Sequence, residues 1–322
     1  LLALIILPVI AALFCLAPDM LPVRVKALVS SLVSLALTGY AVTLYATDAG
    51  DLLNYDIWWI KDLGISFHVA ADGISLLLVI LTNLLVPMII LSSFGTHYDR
   101  PKAFYALVLL MQAALIGVFT SMDGFLFYIF WELALIPIYF ICLMWGGADR
   151  IRITLKFFIY TMTGSLLMLV GLIWLYLQTP GAHSFAINDL YNVALSAEDQ
   201  NWLFWLFLAA FAVKIPIFPL HTWQPDTYTE APAQGTMLLS GIMLKMGTYG
   251  LIRWLLPLFP IALHNYGGIV MGFAIAGVIY ASCMALVQKD YKRLIAYSSL
   301  AHAGLIAAGI LSMNEAGLQG AM

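Results

Sequence analysis

The stretch Asn201–Leu256, NWLFWLFLAAFAVKIPIFPLHTWQPDTYTEAPAQGTMLLSGIMLKMGTYGLIRWLL, decides the fold. It holds two apolar segments, each long enough to cross a bilayer, and each carries one lysine near its middle. Counted from Trp202, Lys214 is the thirteenth residue; counted from Pro232, Lys245 is the fourteenth. At about 1.5 Å per helical residue both fall roughly 18–20 Å into their segments, near the midplane of a hydrocarbon core about 30 Å thick. A lysine there costs about 2.5–3.5 kcal/mol, and its stem is far from either interface. Pro216 and Pro219 follow Lys214 closely. Each lacks a backbone donor, so the helix is expected to break there. A broken helix beside a buried cation points to an ion pathway.

The rest of the chain has the same character. Of the 322 residues 63% are hydrophobic and 10% charged, where a globular domain carries about 25% charge. The expected class is therefore an all-α polytopic membrane protein. A net charge of −3 with no basic run gives no reason to expect a nucleic-acid partner. Cys15, Cys142 and Cys283 lie far apart in apolar segments with no CxxC spacing, which argues against a cysteine-ligated zinc or iron–sulfur site and against disulfides. No Walker loop, no GxGxxG after a strand and no metal- or haem-type histidine pair occurs. No cofactor-binding or metal-ligating residue is expected in the chain. It begins at Leu1, and the start of an apolar run is expected at its other end, so it reads as a fragment with no separate signal peptide.

Apolar runs predict ten crossings, at 1–17, 26–46, 69–94, 102–121, 123–145, 154–177, 202–222, 232–256, 262–287 and 293–313, the seventh interrupted. The longer connections, 47–68 and 178–201, are acidic and carry Trp or Tyr suited to an interface. With these spans Arg24, Lys26, Arg100, Lys102, Arg150, Arg152, Lys156, Lys289, Lys292 and Arg293 share one side. Only Lys61 and Arg253 fall on the other. That asymmetry makes the populated side cytoplasmic and puts the N-terminus outside the cytoplasm.

Few ionisable groups remain deep in the spans: Glu132, Lys214, Lys245 and His302. Glu132 is the tenth residue of its span. Such charges are far costlier alone than paired. A structural ion pair between Glu132 and a lysine would glue helices; proton transfer is the sharper reading, because burial lowers a lysine's pKa and a nearby carboxylate raises it again. Lys214 could then hold a proton while Glu132 is close and charged, and release it otherwise. His302 reads equally as hydrogen-bonded packing or as a further relay. Asp72 is expected to cap the third segment. His221, Trp223, Asp226 and Glu230 are expected at the mouth after the break, as interface anchors or as the lining of a water entry. Gly241, Gly247 and Gly250 are expected to allow close helix approach near Lys245.

FYIFWELALIPIYFI, KFFIYTMTGSLLML, KIPIFPLHTWQPDTYTEAPAQGTMLLSGIMLKMGTYGLIR and KDYKRLIAYSSLAHAG, in that order, resemble the signature segments of the antiporter-like membrane subunits of respiratory complex I (NADH–quinone oxidoreductase), chain M or mitochondrial subunit 4 type. The resemblance implies a fourteen-helix antiporter-like fold with inverted five-helix repeats and a discontinuous seventh helix. Residues 1–101 would be helices one to three, 102–256 the first repeat with its proton half-channel, and 262–322 the truncated start of the second. It further implies that Glu132 pairs with Lys214, that Lys245 is the central relay and that His302 leads toward the exit. NADH, FMN, iron–sulfur clusters and quinone would be bound by partner subunits. Those partners would be other membrane subunits of the complex, neighbouring antiporter-like ones included, within an energy-transducing membrane, most simply the bacterial cytoplasmic membrane. Tyr228, at a usual histidine position, and Gln224, at a usual leucine position, depart from the family pattern near the mouth. A subunit of a multisubunit Na⁺/H⁺ antiporter or membrane-bound hydrogenase would look similar, and a passive scaffold is the rival from another class.

Overall fold

The computed structural model describes residues 1–18, 21–47 and 50–322. In chain order the helices are α1 (Leu2–Leu16), α2 (Val23–Ala46), α3 (Gly73–Ser92), α4 (Pro101–Thr120), α5 (Gly124–Trp145), α6 (Arg150–Gln178), α7 (Ala197–Lys214) and α8 (Gln224–Glu230). A helical run over 233–258, here α9, precedes α10 (Pro260–Leu286), α11 (Tyr291–Leu311) and the short α12 (Glu315–Ala321). Among the described residues 7 helices are long and apolar enough to span a membrane: α2 to α6, α10 and α11. The other three expected crossings are helical but fall outside that class for separate reasons. Helix α1 has only 15 residues, α7 carries Glu198, Asp199 and Lys214, and α9 is divided by π-helical turns.

The connection after α2 departs from an all-helical reading. Strands β1 (Asn54–Ile60) and β2 (Ile65–Ala70) form an antiparallel hairpin, with Asn54 opposite Ala70 and Trp58 opposite Ser66. Its physical cause is the β-branched and aromatic content of NYDIWWI and ISFHVA around a left-handed Gly64.

The chain divides into two compact units. The first comprises residues 1–146, 180–189 and 232–242. Helix α4 is its centre: every residue from Met111 to Thr120 is buried, as expected of a helix apolar all round. Three side chains, all buried, cross its helix contacts in one line. Gln112 Nε2 donates to Asn83 Oδ1 at 2.5 Å, Asn83 Nδ2 donates to Thr38 Oγ1 at 2.7 Å, and Thr38 donates to the Ser34 carbonyl at 2.8 Å. That line ties α4 to α3 and α3 to α2 where apolar surface gives no directional preference. At the start of α5, fully buried Asp123 accepts from Phe125 N (2.9 Å) and Leu126 N (3.0 Å), and also from Ser66 N of β2 at 3.1 Å. Asp72 caps α3 as expected, accepting from Ser75 N at 2.9 Å.

The second unit comprises residues 147–179, 190–231 and 243–322. Within it α6 and α10 pack on α7, α11 packs on α10, and α8 lies against α6 and α11. Helix α7 begins at Ala197, earlier than its apolar run, because Ser196 caps it by accepting from Asp199 N at 3.1 Å. Glu198 and Asp199 add favourable charge in the first turn.

Candidate functional site

The break is located at Lys214. Helix α7 ends on that residue, and α8 starts ten positions later at Gln224. The hydrogen-bond pattern follows from the prolines. Pro216 has no N–H, so the Ala212 carbonyl accepts from Ile217 N at 2.8 Å instead. That leaves the Val213 carbonyl without its usual donor, Ile217 N, and the Trp223 indole donates to it at 3.0 Å; Pro219 removes a further backbone donor. Trp223 is itself buried and packs on Phe157, ring centroids 4.9 Å apart. Freed helix-end acceptors are thus satisfied by a neighbouring turn and a side chain. Lys214 is 3% exposed, on the last turn of α7, where the helix dipole is negative.

Lys245 lies in the α-helical segment Leu244–Gly250, with π turns at Leu239–Met243 and Leu251–Leu255 on either side. This segment packs directly on the end of α7. A Cβ on Gly247 would stand 2.6 Å from Ile215 Cγ1, 3.1 Å from Ile215 N and 3.1 Å from Lys214 Cβ, and one on Gly250 would meet the Phe211 ring at 2.3 Å. Both glycines are therefore required for close helix approach. Lys245 is half-buried.

Glu132 belongs to the first unit, on α5, and its Oε1 is buried with no hydrogen-bond partner among the described residues. His302 is on α11 in the second unit, exposed, with Nδ1 2.7 Å from the Ser298 carbonyl of its own helix. That bond requires the proton on Nδ1 and leaves Nε2 as the acceptor of a neutral ring. The structure thus brings the elements of Lys214 and Lys245 together, and leaves His302 on an outer face.

The mouth residues are not free anchors. His221 is buried, stacked on Phe218 with centroids 5.3 Å apart and edge-on to Tyr280 at 5.0 Å. Asp226 Oδ2 pairs with Lys156 Nζ at 2.9 Å, and its Oδ1 with Arg293 Nη2 at 3.4 Å. Glu230 Oε1 accepts from Asp149 N at 2.6 Å. Tyr228 is fully buried, and burial pushes its phenol far up, so it stays protonated at neutral pH. Sequence reasoning missed the anchoring role of Asp123, although an aspartate just before an apolar helical run is itself an N-cap signal.

The family described as NADH:quinone oxidoreductase/Mrp antiporter, transmembrane region, matches residues 121–322. The chain belongs to this family. It is 44% identical over 268 residues to NADH-quinone oxidoreductase subunit M of Rickettsia conorii, covering 82% of this chain and 53% of that protein. It is 40% identical over 305 residues to F(420)H(2) dehydrogenase subunit M of Methanosarcina mazei, covering 91% of this chain and 60% of the relative. Among solved structures, a chain of respiratory complex I from Thermus thermophilus with bound NADH superposes with a TM-score of 0.89 at 30% identity, covering 99% of this chain and 66% of that one. The chain therefore spans about half the length of the first of these relatives, and it shares the antiporter-like membrane fold. Among the described residues no group of three or more His, Cys, Asp or Glu converges as metal ligands.

Proposed function

We propose that this chain relays protons across an energy-transducing membrane, as part of the membrane arm of an NADH–quinone oxidoreductase driven by quinone reduction in partner subunits. The observation that carries the reading is the buried Lys214 on the last turn of a proline-broken helix, with Gly247 admitting the Lys245 segment to its side. Glu132 modulates Lys214, Lys214 passes a proton toward Lys245, and His302 continues the route. The unpartnered Oε1 of Glu132 suits a carboxylate whose partner changes during the cycle. In this reading residues 102–256 form the first of two inverted repeats and 262–322 open the second. Cytoplasmic placement of the α7–α8 break face is supported by the gathering of Lys156, Lys292 and Arg293 around α8. In this reading NADH, FMN, iron–sulfur clusters and quinone would be bound by partner subunits.

The test uses the complete subunit in its assembled complex, reconstituted in vesicles. Lys214→Met and Glu132→Gln should each lower the protons moved per electron at equal complex content. An unchanged ratio in both overturns the relay. A second reading, a related complex with a different electron input or an antiporter, is favoured by the family's Mrp antiporter members and the F(420)H(2) dehydrogenase relative. Co-purification of an NADH-oxidising arm decides between them.

A further inference from the structure

The short helix after the break is held by more polar contacts than its seven residues need for their own stability. Lys156 of α6 bonds both the Asp226 carboxylate (2.9 Å) and the Thr222 carbonyl (2.8 Å). Arg293 of α11 reaches the other oxygen of Asp226 at 3.4 Å. The neighbouring Lys292 donates to the Thr229 carbonyl at 2.8 Å and also to the Ala231 carbonyl, at the C-terminal end of α8 where a cation suits the dipole. Tyr160 and Thr222 share a hydroxyl bond at 2.9 Å, and Gln224 Nε2 donates to the Ala296 carbonyl at 3.2 Å. Asp226 binds one cation from α6 and one from α11, whereas the other carboxylate of α8, Glu230, accepts from the Asp149 backbone.

The other end of α8 points back to the site. Its N-cap is Trp223, whose indole N–H holds the Val213 carbonyl, one residue before Lys214. Phe157, next in sequence to Lys156, supplies the ring on which Trp223 rests. Two successive residues of α6 therefore hold the first turn of α8: Lys156 the Asp226 carboxylate, Phe157 the Trp223 indole.

We infer that Asp226 is a positioning residue: its bridge to Lys156 and Arg293 seats α8 so that the Trp223 indole holds the last turn of α7, and with it Lys214. The inference rests on the proposed relay role of Lys214. It differs from an anchoring role because it specifies one route of action, through a single indole hydrogen bond.

The experiment compares Asp226→Asn, Asp226→Glu, Trp223→Phe and the Asp226→Asn/Trp223→Phe double variant in the full assembled complex. Lys214→Met serves as reference. Proton movement per electron is read in vesicles at equal complex content. Asp226→Asn and Trp223→Phe should each lower the ratio at least two-fold, Asp226→Glu should restore it, and the double variant should fall no further than the worse single one. That non-additivity is the signature of two residues acting through one contact. Additive losses, or an unchanged ratio in Asp226→Asn, overturn the inference. Should Asp226→Asn fail to assemble, Trp223→Phe decides, since it removes the indole N–H while keeping a six-membered aromatic ring against Phe157. An unchanged ratio there also overturns it. If Lys214→Met itself leaves the ratio intact, the relay reading falls, whatever the Asp226 variants do.

Discussion

Replacing Gly247 by alanine tests whether the two lysine-bearing elements meet as tightly as the geometry requires. The added methyl would lie 2.6 Å from Ile215 Cγ1, which rotation of that side chain could relieve. It would also lie 3.1 Å from Ile215 N and from Lys214 Cβ, which no rotamer change can move. Ordinary carbon contacts are about 3.5–4.0 Å, so the segments must separate by roughly half an ångström. Overpacking of this kind costs about 1–3 kcal/mol, against a helix-propensity gain of about 1 kcal/mol for Gly→Ala. Gly272 on α10 is the control, because a Cβ there meets nothing within 4 Å. Both variants carry the same propensity gain, so the difference between them isolates the steric cost. Thermal unfolding in detergent, followed by the fluorescence of buried Trp223 and Trp254, should place Gly247→Ala below Gly272→Ala by about 1–3 kcal/mol. A gap under about 0.5 kcal/mol, the usual scatter of a surface substitution, would refute the close approach.

The first unit supplies two further tests, both read by a thiol-reactive dye, since Cys15 and Cys142 are free and buried while Cys283 gives a constant exposed baseline. Asp123→Ala loses an N-cap, about 1 kcal/mol, and strands the buried Ser66 N–H, about 1–3 kcal/mol more, so dye labelling should begin at a markedly lower temperature. Asp123→Asn keeps the cap oxygen but replaces the acceptor of Ser66 N by an amide N–H, so it should lose less than alanine yet stay below the unsubstituted protein; no loss in Asp123→Asn would contradict the bond to Ser66. Asn83→Leu leaves Gln112 Nε2 without its acceptor and should cost about 2 kcal/mol. Adding Gln112→Leu should recover part of that loss, since an apolar pair strands nothing. A double variant weaker than the sum of the singles would sink the assignment of that line.

Each feature was legible in the sequence to the extent that its cause is local. Long apolar runs fix where helices exist, and α4, α5 and α9 fall within two residues of their expected bounds, whereas α7 ends eight residues before the expected 222 because the prolines stop it. Proline chemistry fixes the break, which falls directly after Lys214. Capping fixes Asp72. The same capping rule applied to Ser196 would have moved the start of α7 to Ala197, but polarity across 197–201 masked it. The β1–β2 hairpin was hidden because its tryptophans read equally as interface anchors. The Asp226 bridges join residues 70 and 67 positions apart, and no local pattern encodes a pair at that separation. His302 was singled out by its place in an apolar segment as well as by the resemblance, and its exposure depends on which face α11 turns toward α10, which no single helix specifies.

The break and Lys214 act as one device energetically. A lysine mid-span in an unbroken helix has its neighbouring carbonyls engaged along the axis and meets an insertion cost of about 2.5–3.5 kcal/mol. Ending α7 on Lys214 brings the negative end of the helix dipole to the ammonium's own turn, worth up to about 2 kcal/mol in partly buried geometry. The two magnitudes are close, so ending the helix on Lys214 offsets much of the cost of placing that residue within a span. The dipole term falls off within the last turn, so Pro216 could not lie one turn later and do the same. Lys245 has no helix end beside it. It lies between two π turns, where the regular i→i+4 bonding is locally relaxed, so the two lysines occupy unlike backbone surroundings. In the proposed relay a proton passing between them would therefore leave one kind of environment for another.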